Sequence, residues 1–347
     1  MLSYTEKYIS DLAKITNSIP NVVRLKNKKI LITGAGGLIC SAIVDFLMEL
    51  NRESGWCIQV YAGARKRESI ARRFKHWQDS NALHFLQYDA CEAFRTDIDF
   101  DYIIHGASNA TPNAYISQPV ETMLANIIGI KNALDYIREQ GTGRVLYISS
   151  SEVYGKKKEN TAYDESDYGY LDILNPRACY PSSKRAAETL CASYKKQYDV
   201  DCVIVRPGHI YGQTMTDSDN RAASQFSRDA KNGKDIIMKS AGTQLRSYCH
   251  VLDCASAILA VLLNGASGEA YNISNPESVV TIRQLAECIA EAANVKLVFE
   301  CPTDEEKSSY NMMENSALTS DKLQALGWKG LFSLADSVNA TLESIEQ

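Results

Sequence analysis

Lys29-Ile-Leu-Ile-Thr33-Gly34-Ala35-Gly36-Gly37-Leu38-Ile39-Cys40 is the stretch that decides the fold. A short apolar run breaks into glycine, and the pattern restarts with helical spacing from Leu38 through Leu50. Strand, tight turn and helix, in that order, are what a dinucleotide site requires. Glycine allows the sharp turn and lets backbone N–H groups approach a pyrophosphate at the helix N-terminus, where the dipole favours negative charge. Gly34, Gly36 and Gly37 supply the turn, and Leu38 and Ile39 open the helix. The small position that closes such a fingerprint falls on Cys40, which is larger than glycine, so slightly looser packing is expected there.

Working outward, Cys57–Ala62 reads as a second strand, followed by Gly63-Ala-Arg65-Lys-Arg67. No acidic residue ends this strand to hold a ribose 2′-hydroxyl. Arg65, with Lys66 or Arg67, suits a 2′-phosphate instead, so the expected cofactor is NAD(P), with NADP favoured over NAD. Residues 84–89 read as a third strand whose end, Asp89 and Ala90, flanks the adenine. Residues 101–105 form a fourth, and Gly106-Ala107-Ser108 give the small residues that a cofactor's path along the backbone needs. A helix over 120–138 carries Asn126, a fifth strand spans 143–149, and helix 180–198 leads into strand 201–206 before Pro207. Alternating β-rich and helical runs predict an α/β chain, a Rossmann-type doubly wound parallel sheet with ligands at the carboxyl ends of its strands.

Past Pro207 the alternation stops. A polar loop at 214–220, helices over 221–232 and 281–293, and short strands predict a smaller C-terminal α/β substrate lobe. The expected organisation is an N-terminal helical extension (1–28), a dinucleotide-binding domain (29–206), and a substrate lobe (207–347) with some segments returning to the sheet. In the extension, Tyr8, Ile9, Leu12, Ala13 and Ile15 form an apolar stripe for docking on the body.

The chain has 347 residues, 45% hydrophobic and 23% charged, with a net charge of -5. Those proportions suit a sizeable core and argue against a basic nucleic-acid face. Ten cysteines without a C-x-x-C pair and five separated histidines point to neither a disulfide framework nor a metal site. No apolar run approaches a membrane span, so no membrane partner and a cytoplasmic location are expected.

The chemistry is carried by Tyr180-Pro-Ser-Ser-Lys184 and by Ser149-Ser150-Ser151-Glu152-Val-Tyr-Gly155 upstream. Tyr180 and Lys184 are four apart, so on a helix the phenol and the ammonium share a face. A cation near a phenol favours the phenolate, which lowers the tyrosine pKa towards a useful range. Ser150 can hydrogen-bond the same substrate oxygen. This is equipment for moving a proton on an alcohol while a nicotinamide takes the hydride.

Together with Arg206-Pro-Gly-His-Ile-Tyr-Gly212, Arg246-Ser-Tyr-Cys-His-Val-Leu-Asp253 and Leu323-Gln-Ala-Leu-Gly-Trp328, these motifs resemble the extended short-chain dehydrogenase/reductases. The likeness is to their nucleotide-sugar epimerase, dehydratase and decarboxylase branch, and it runs from about Lys29 to the C-terminus. It implies Tyr180 as acid/base, Lys184 as its electrostatic partner and a ligand of the nicotinamide ribose, Ser150 as the group orienting the hydroxyl, and Asn126 as a hydrogen-bonding support. It implies Arg246, and more weakly Arg221, as contacts to a nucleotide diphosphate, with Ser151, Tyr115 and His209 on the substrate side. A homodimer built from helices 120–138 and 180–198 follows from the same resemblance.

Ala107-Ser-Asn-Ala-Thr-Pro112, Tyr115, Ser151-Glu152 and Asn175-Pro-Arg-Ala-Cys-Tyr180 are most similar to UDP-glucuronate decarboxylases, which makes Glu152 a second acid/base or orienting group. Three positions depart from that pattern: Glu121 in place of a lysine, Pro181-Ser-Ser183 in place of an acidic segment, and His209 in place of asparagine. Sugar C4 oxidation leading to epimerisation or decarboxylation is the expected reaction. NADPH-dependent reduction of a nucleotide-activated keto-sugar or ketose is the alternative that Arg65 supports.

Overall fold

The computed structural model describes residues 2–216, 219–301 and 314–345, so positions 217 and 218 of the expected polar loop lie outside the described residues. Its centre is a seven-stranded sheet. The first six strands are β1 (Lys29–Thr33), β2 (Gln59–Ala64), β3 (Leu83–Gln87), β4 (Tyr102–His105), β5 (Arg144–Ile148) and β6 (Cys202–Pro207). Three strands of the later segment follow, β7 (His209–Tyr211), β8 (Ile236–Met238) and β9 (Leu245–His250), before β10 (Ala270–Ile273) returns to the sheet. The sheet order is β10-β6-β5-β4-β1-β2-β3, and each neighbouring pair is parallel. This is the Rossmann-type sheet that the sequence predicts. The order reverses beside β1, and the crevice at that switch point opens at the carboxyl ends of β1 and β4.

A parallel sheet is covered on both faces, and β1 shows how its residues divide. Ile30 and Ile32 join one core, whereas Leu31 faces the other, as the two-residue period of a strand demands. On the first side, helices α2 (Leu38–Ser54) and α8 (Val251–Asn264) pack together. On the second, α5 (Pro119–Gln140) lies along α6 (Cys179–Tyr198), burying Ile130, Leu134, Ala187 and Cys191. A third core gathers Tyr211, Phe226, Ile236, Leu285 and Ile289 from β7, β8, the helix Ala222–Lys231 and the helix Ile282–Ala293.

The N-terminal stretch begins with the helix Glu6–Lys14, and its Tyr8 and Leu12, with Ile15 just beyond, are fully buried. Asp45, inside α2, holds this helix in place. Its carboxylate accepts from the Tyr4 hydroxyl (2.6 Å), the Tyr8 hydroxyl (2.8 Å), the Trp77 indole (2.8 Å) and Arg73 Nη2 (2.5 Å). A fully buried carboxylate is tolerated only when paired and hydrogen-bonded, and this one is. No helix among the described residues is long and apolar enough to cross a membrane.

Candidate active site

The turn after β1 is built as the glycines require. Gly34 has φ +69, and a Cβ there would lie 2.8 Å from the Gly106 carbonyl oxygen. The Gly37 amide donates to the Gly34 carbonyl at 2.9 Å, and Gly37 is the residue from which α2 starts, with Leu38 and Ile39 as its first residues. Cys40 is fully packed, contrary to the looser contact its size suggests. The space comes from the facing strand end, where a Cβ on Gly106 would fall 2.4 Å from Cys40 Sγ. Thr33 ties the two strand ends together: its hydroxyl oxygen accepts from the Gly106 and Ala107 amides at 3.2 and 3.3 Å. From the later segment, the Thr214 hydroxyl donates to the Leu38 carbonyl at 2.7 Å.

These residues fit a dinucleotide. Ser108 Oγ is buried without a hydrogen-bond partner, one residue past Ala107 in the cradle that a Cβ on Gly34 would fill, and Asn126 Oδ1 on α5 is likewise buried without one. Arg65 is exposed just past β2, close enough to act on Cys91, whose amide donates to Asp89 Oδ1 at 2.9 Å. Arg65 and Asp89 therefore stand together at the carboxyl ends of β2 and β3. Ala90 is buried next to Asp89, and Pro207 is buried at the end of β6.

Tyr180 and Lys184 sit one turn apart near the start of α6, both almost fully buried. Pro181 is tolerated because the first helical turn needs no intrahelical amide donor. Lys184 Nζ donates to the Ile148 carbonyl at 2.7 Å and lies 5.6 Å from the Tyr180 ring centroid and 4.7 Å from that of Tyr147. Burial pushes Lys184 down to about 7, with Glu188 opposing the change. Burial likewise pushes Tyr180 up to about 12, and Glu152 adds to it, while hydrogen bonds from Ser150 and Tyr115 pull the other way. The sequence-based expectation of a lowered tyrosine pKa is thus reversed among the protein's own groups. Removing a phenolate from water outweighs the nearby ammonium, which is itself depleted of charge by burial.

Ser150 caps a short 3-10 turn, Ser151–Tyr154, its Oγ accepting from the Glu152 amide at 3.2 Å. Ser151 is buried. Glu152 is paired with Arg177, Nη1 to Oε2 at 3.1 Å. Arg177 lies in the Asn175–Tyr180 motif but is not assigned a role by sequence reasoning. Its signal is visible afterwards: Asn175 Oδ1 accepts from the Arg177 amide at 3.0 Å and so fixes the turn that aims the guanidinium at Glu152. Tyr115 stacks on Tyr180, with ring centroids 4.5 Å apart and an interplanar angle of 19°.

On the opposite wall, Arg221 is gripped by Asp219 through Nε–Oδ1 (2.9 Å) and Nη2–Oδ2 (2.6 Å), and its charge acts on both Tyr115 and Tyr180. Asp219 is another residue that sequence reasoning misses. Arg246 is buried on β9, donating to the Leu245 carbonyl at 2.9 Å. His209 is pushed down to about 3 by burial and by the Arg246 and Arg221 charges, so its imidazole stays neutral. A neutral imidazole offers one donor and one acceptor, as an asparagine amide can, and its Nδ1 is buried without a partner. Glu121 is exposed in the first turn of α5, where the helix dipole favours a carboxylate.

The chain matches the NAD dependent epimerase/dehydratase family over residues 30–274. It is 28% identical to a UDP-glucuronic acid decarboxylase 1 of Danio rerio over 345 residues, covering 99% of this chain and 76% of the relative. It is 31% identical to UDP-glucuronic acid decarboxylase 3 of Arabidopsis thaliana over 307 residues, covering 87% of this chain and 84% of the relative. A dTDP-glucose 4,6-dehydratase of Bacillus anthracis in complex with NAD shares the fold at TM-score 0.76 and 19% identity, covering 91% of this chain and 96% of that one.

Proposed function

This chain belongs to the NAD dependent epimerase/dehydratase family, as an enzyme that modifies nucleotide sugars, and from that premise we propose that it decarboxylates a UDP-glucuronate-type substrate through a 4-keto sugar. One observation carries the reading: Tyr180, Lys184, Ser150 and the Arg177-paired Glu152 converge, with Lys184 close enough to act on Cys40 in the first turn of the helix that follows the glycines. Tyr180, as phenolate, removes the proton from the sugar C4 hydroxyl, whose oxygen Ser150 holds. When bound, a nicotinamide cofactor would supply the acceptor for the C4 hydride and the donor that gives it back. The resulting β-keto acid loses CO2, its C5–carboxyl bond electrons passing into an enolate. C5 of that enolate takes a proton from water to give a 4-keto pentose, Tyr180 then returns its proton as the 4-hydroxyl reforms, and Glu152 orients the sugar ring during the exchange.

Arg221, Arg246 and neutral His209 provide donors on the wall facing Tyr180, which suits a nucleotide diphosphate. Lys184 and the Gly34–Gly37 turn hold the cofactor's ribose and pyrophosphate, and Arg65 suits a 2′-phosphate and hence NADP. Epimerisation at C4 uses the same first step. Arg65 also favours a second reading, net reduction of a nucleotide-activated keto-sugar by NADPH, because an enzyme that recycles its own cofactor gains little from the 2′-phosphate. Exposed Val120, Met123 and Leu124 on α5 support pairing into a homodimer. All ten cysteines are free thiols, which suits a reducing, cytoplasmic setting.

The test is to release and weigh any cofactor that survives purification, then to supply nucleotide sugars one at a time. CO2 release from a nucleotide uronate without net NADPH consumption supports the decarboxylase. Steady NADPH oxidation with one keto-sugar nucleotide replaces it with the reductase.

A further inference from the structure

Tyr115 is slightly more buried than Tyr180, at 4% and 6% exposure, and the two rings are stacked face to face. A side chain that only lined a sugar pocket would not need this arrangement. Tyr115 comes from the short helix Pro112–Ser117, and Cys179 Sγ donates to its backbone carbonyl at 3.8 Å, which joins that helix to the residue immediately before Tyr180. Arg177 lies 5.6 Å over the Tyr115 ring. The ring is therefore held by its stack, by a cation and through its own backbone.

We propose that Tyr115 is a positioning residue for proton transfer at Tyr180: its ring fixes the Tyr180 ring, and its hydroxyl is a second donor, beside Ser150, to the Tyr180 oxygen. The inference rests on the function proposed above, because it assigns Tyr115 to that reaction's base rather than to the sugar. Burial, Tyr180 and Glu152 hold the Tyr115 phenol far above its ordinary pKa, so it remains protonated and can only support the charge on its neighbour. Two donors on one phenolate oxygen stabilise the charged form, and a third place is left for the substrate hydroxyl. Sequence spacing cannot show this relationship, because Tyr115 and Tyr180 lie on separate elements that only the fold brings together.

The test separates ring from hydroxyl and does not depend on knowing the sugar. Full-length protein labelled with 13C at the tyrosine Cζ gives a Tyr180 resonance, identified by its loss in Tyr180→Phe. Tyr115→Phe keeps the ring and removes the donor. It should move the Tyr180 resonance by an amount comparable to Ser150→Ala, and Tyr115→Leu should also broaden it. A Tyr180 resonance unmoved in Tyr115→Phe overturns the inference, whether or not any nucleotide sugar is turned over. In turnover, Tyr115→Phe should lower kcat about tenfold with little change in KM, and it should move the ascending limb of the rate profile, which reports ionisation of Tyr180, up by about one pH unit, as the loss of one charge-assisted hydrogen bond implies. A raised KM with an unmoved profile would instead make Tyr115 a sugar contact. If the unmodified protein transfers hydride with none of the nucleotide sugars, the proposed function fails, while the resonance still decides the Tyr115 pairing.

Discussion

Arg177 and Glu152 form an ion pair, Nη1 to Oε2 at 3.1 Å, on the edge of the stacked tyrosines. Glu152 is the largest charge opposing ionisation of Tyr180, so the guanidinium that neutralises it also protects the proposed base. Arg177→Met leaves that carboxylate uncompensated. Expected is a fall in kcat of about tenfold at neutral pH, with the tyrosine limb of the rate profile moved up by about one unit. A limb that moves down, measured by initial rates across pH, would contradict this account of Glu152.

Lys184 predicts a direction for stability against pH. Its pKa falls from 10.5 in the unfolded chain to about 7 in the fold. Between those values the unfolded chain holds a proton that the folded chain does not, so stability rises with pH across that window and the penalty is fully present below it. Urea unfolding of cofactor-free protein at neutral pH and at about pH 9 reads this difference. Lys184→Met should flatten it. An equal pH slope in wild type and variant would count against burial as the cause.

Cys40 and Gly106 occupy one space between them, so their substitutions should be coupled. Gly106→Ala places a methyl 2.4 Å from Cys40 Sγ and is expected to cost about 1–3 kcal/mol and to weaken cofactor binding. Cys40→Ala combined with Gly106→Ala should recover much of that loss, since the remaining neighbours, Ile148 Cδ1 at 3.2 Å and the Thr33 carbonyl at 3.4 Å, yield more easily than a direct overlap. A double-mutant cycle by thermal unfolding measures the coupling, and strict additivity would refute it.

Asp45 carries four hydrogen bonds from three segments. Asp45→Ala strands the Arg73 charge beside the Tyr4 and Tyr8 phenols and should destabilise the protein by about 3–5 kcal/mol. Tyr4→Phe, which leaves the ion pair, should cost only about 1 kcal/mol. Denaturant titration of both distinguishes a charge hub from four independent contacts.

Arg65→Ala should lower NADP affinity about tenfold and leave NAD affinity nearly unchanged, because only the 2′-phosphate supplies a charge for the guanidinium. Isothermal titration with each cofactor reads the ratio. A parallel loss for both would assign Arg65 to folding of the loop instead.

Much of this is legible in the amino-acid sequence. The alternation from Lys29 to Pro207 predicts six of the seven strands within two residues of their ends, because buried parallel strands are short apolar runs. β10 carries no such signal: Ala270–Ile273 is only four residues long and lies beyond the break in alternation, where local pattern does not say which sheet a strand joins. Tyr180 and Lys184 are readable as a pair because their spacing is local, and Ser150 because it follows directly on a strand. Arg177 and Asp219 were not, since each acts by neutralising a partner from a loop or turn, and ion pairs leave no periodic trace. The sign of the Tyr180 shift depended on burial, which spacing alone does not report.

The placement of β10 has a consequence for biosynthesis. β6 ends at Pro207, yet the strand that covers its open side begins at Ala270. While the intervening segment emerges from the ribosome, at about 5–20 residues per second, β6 presents bare amides and carbonyls beside a fully apolar face. For a few seconds the nascent chain is thus a template for intermolecular pairing, and the later lobe must be synthesised before that edge is sealed. Translation pauses between those two strands should therefore cost yield of soluble protein more than pauses of equal length after Ile273.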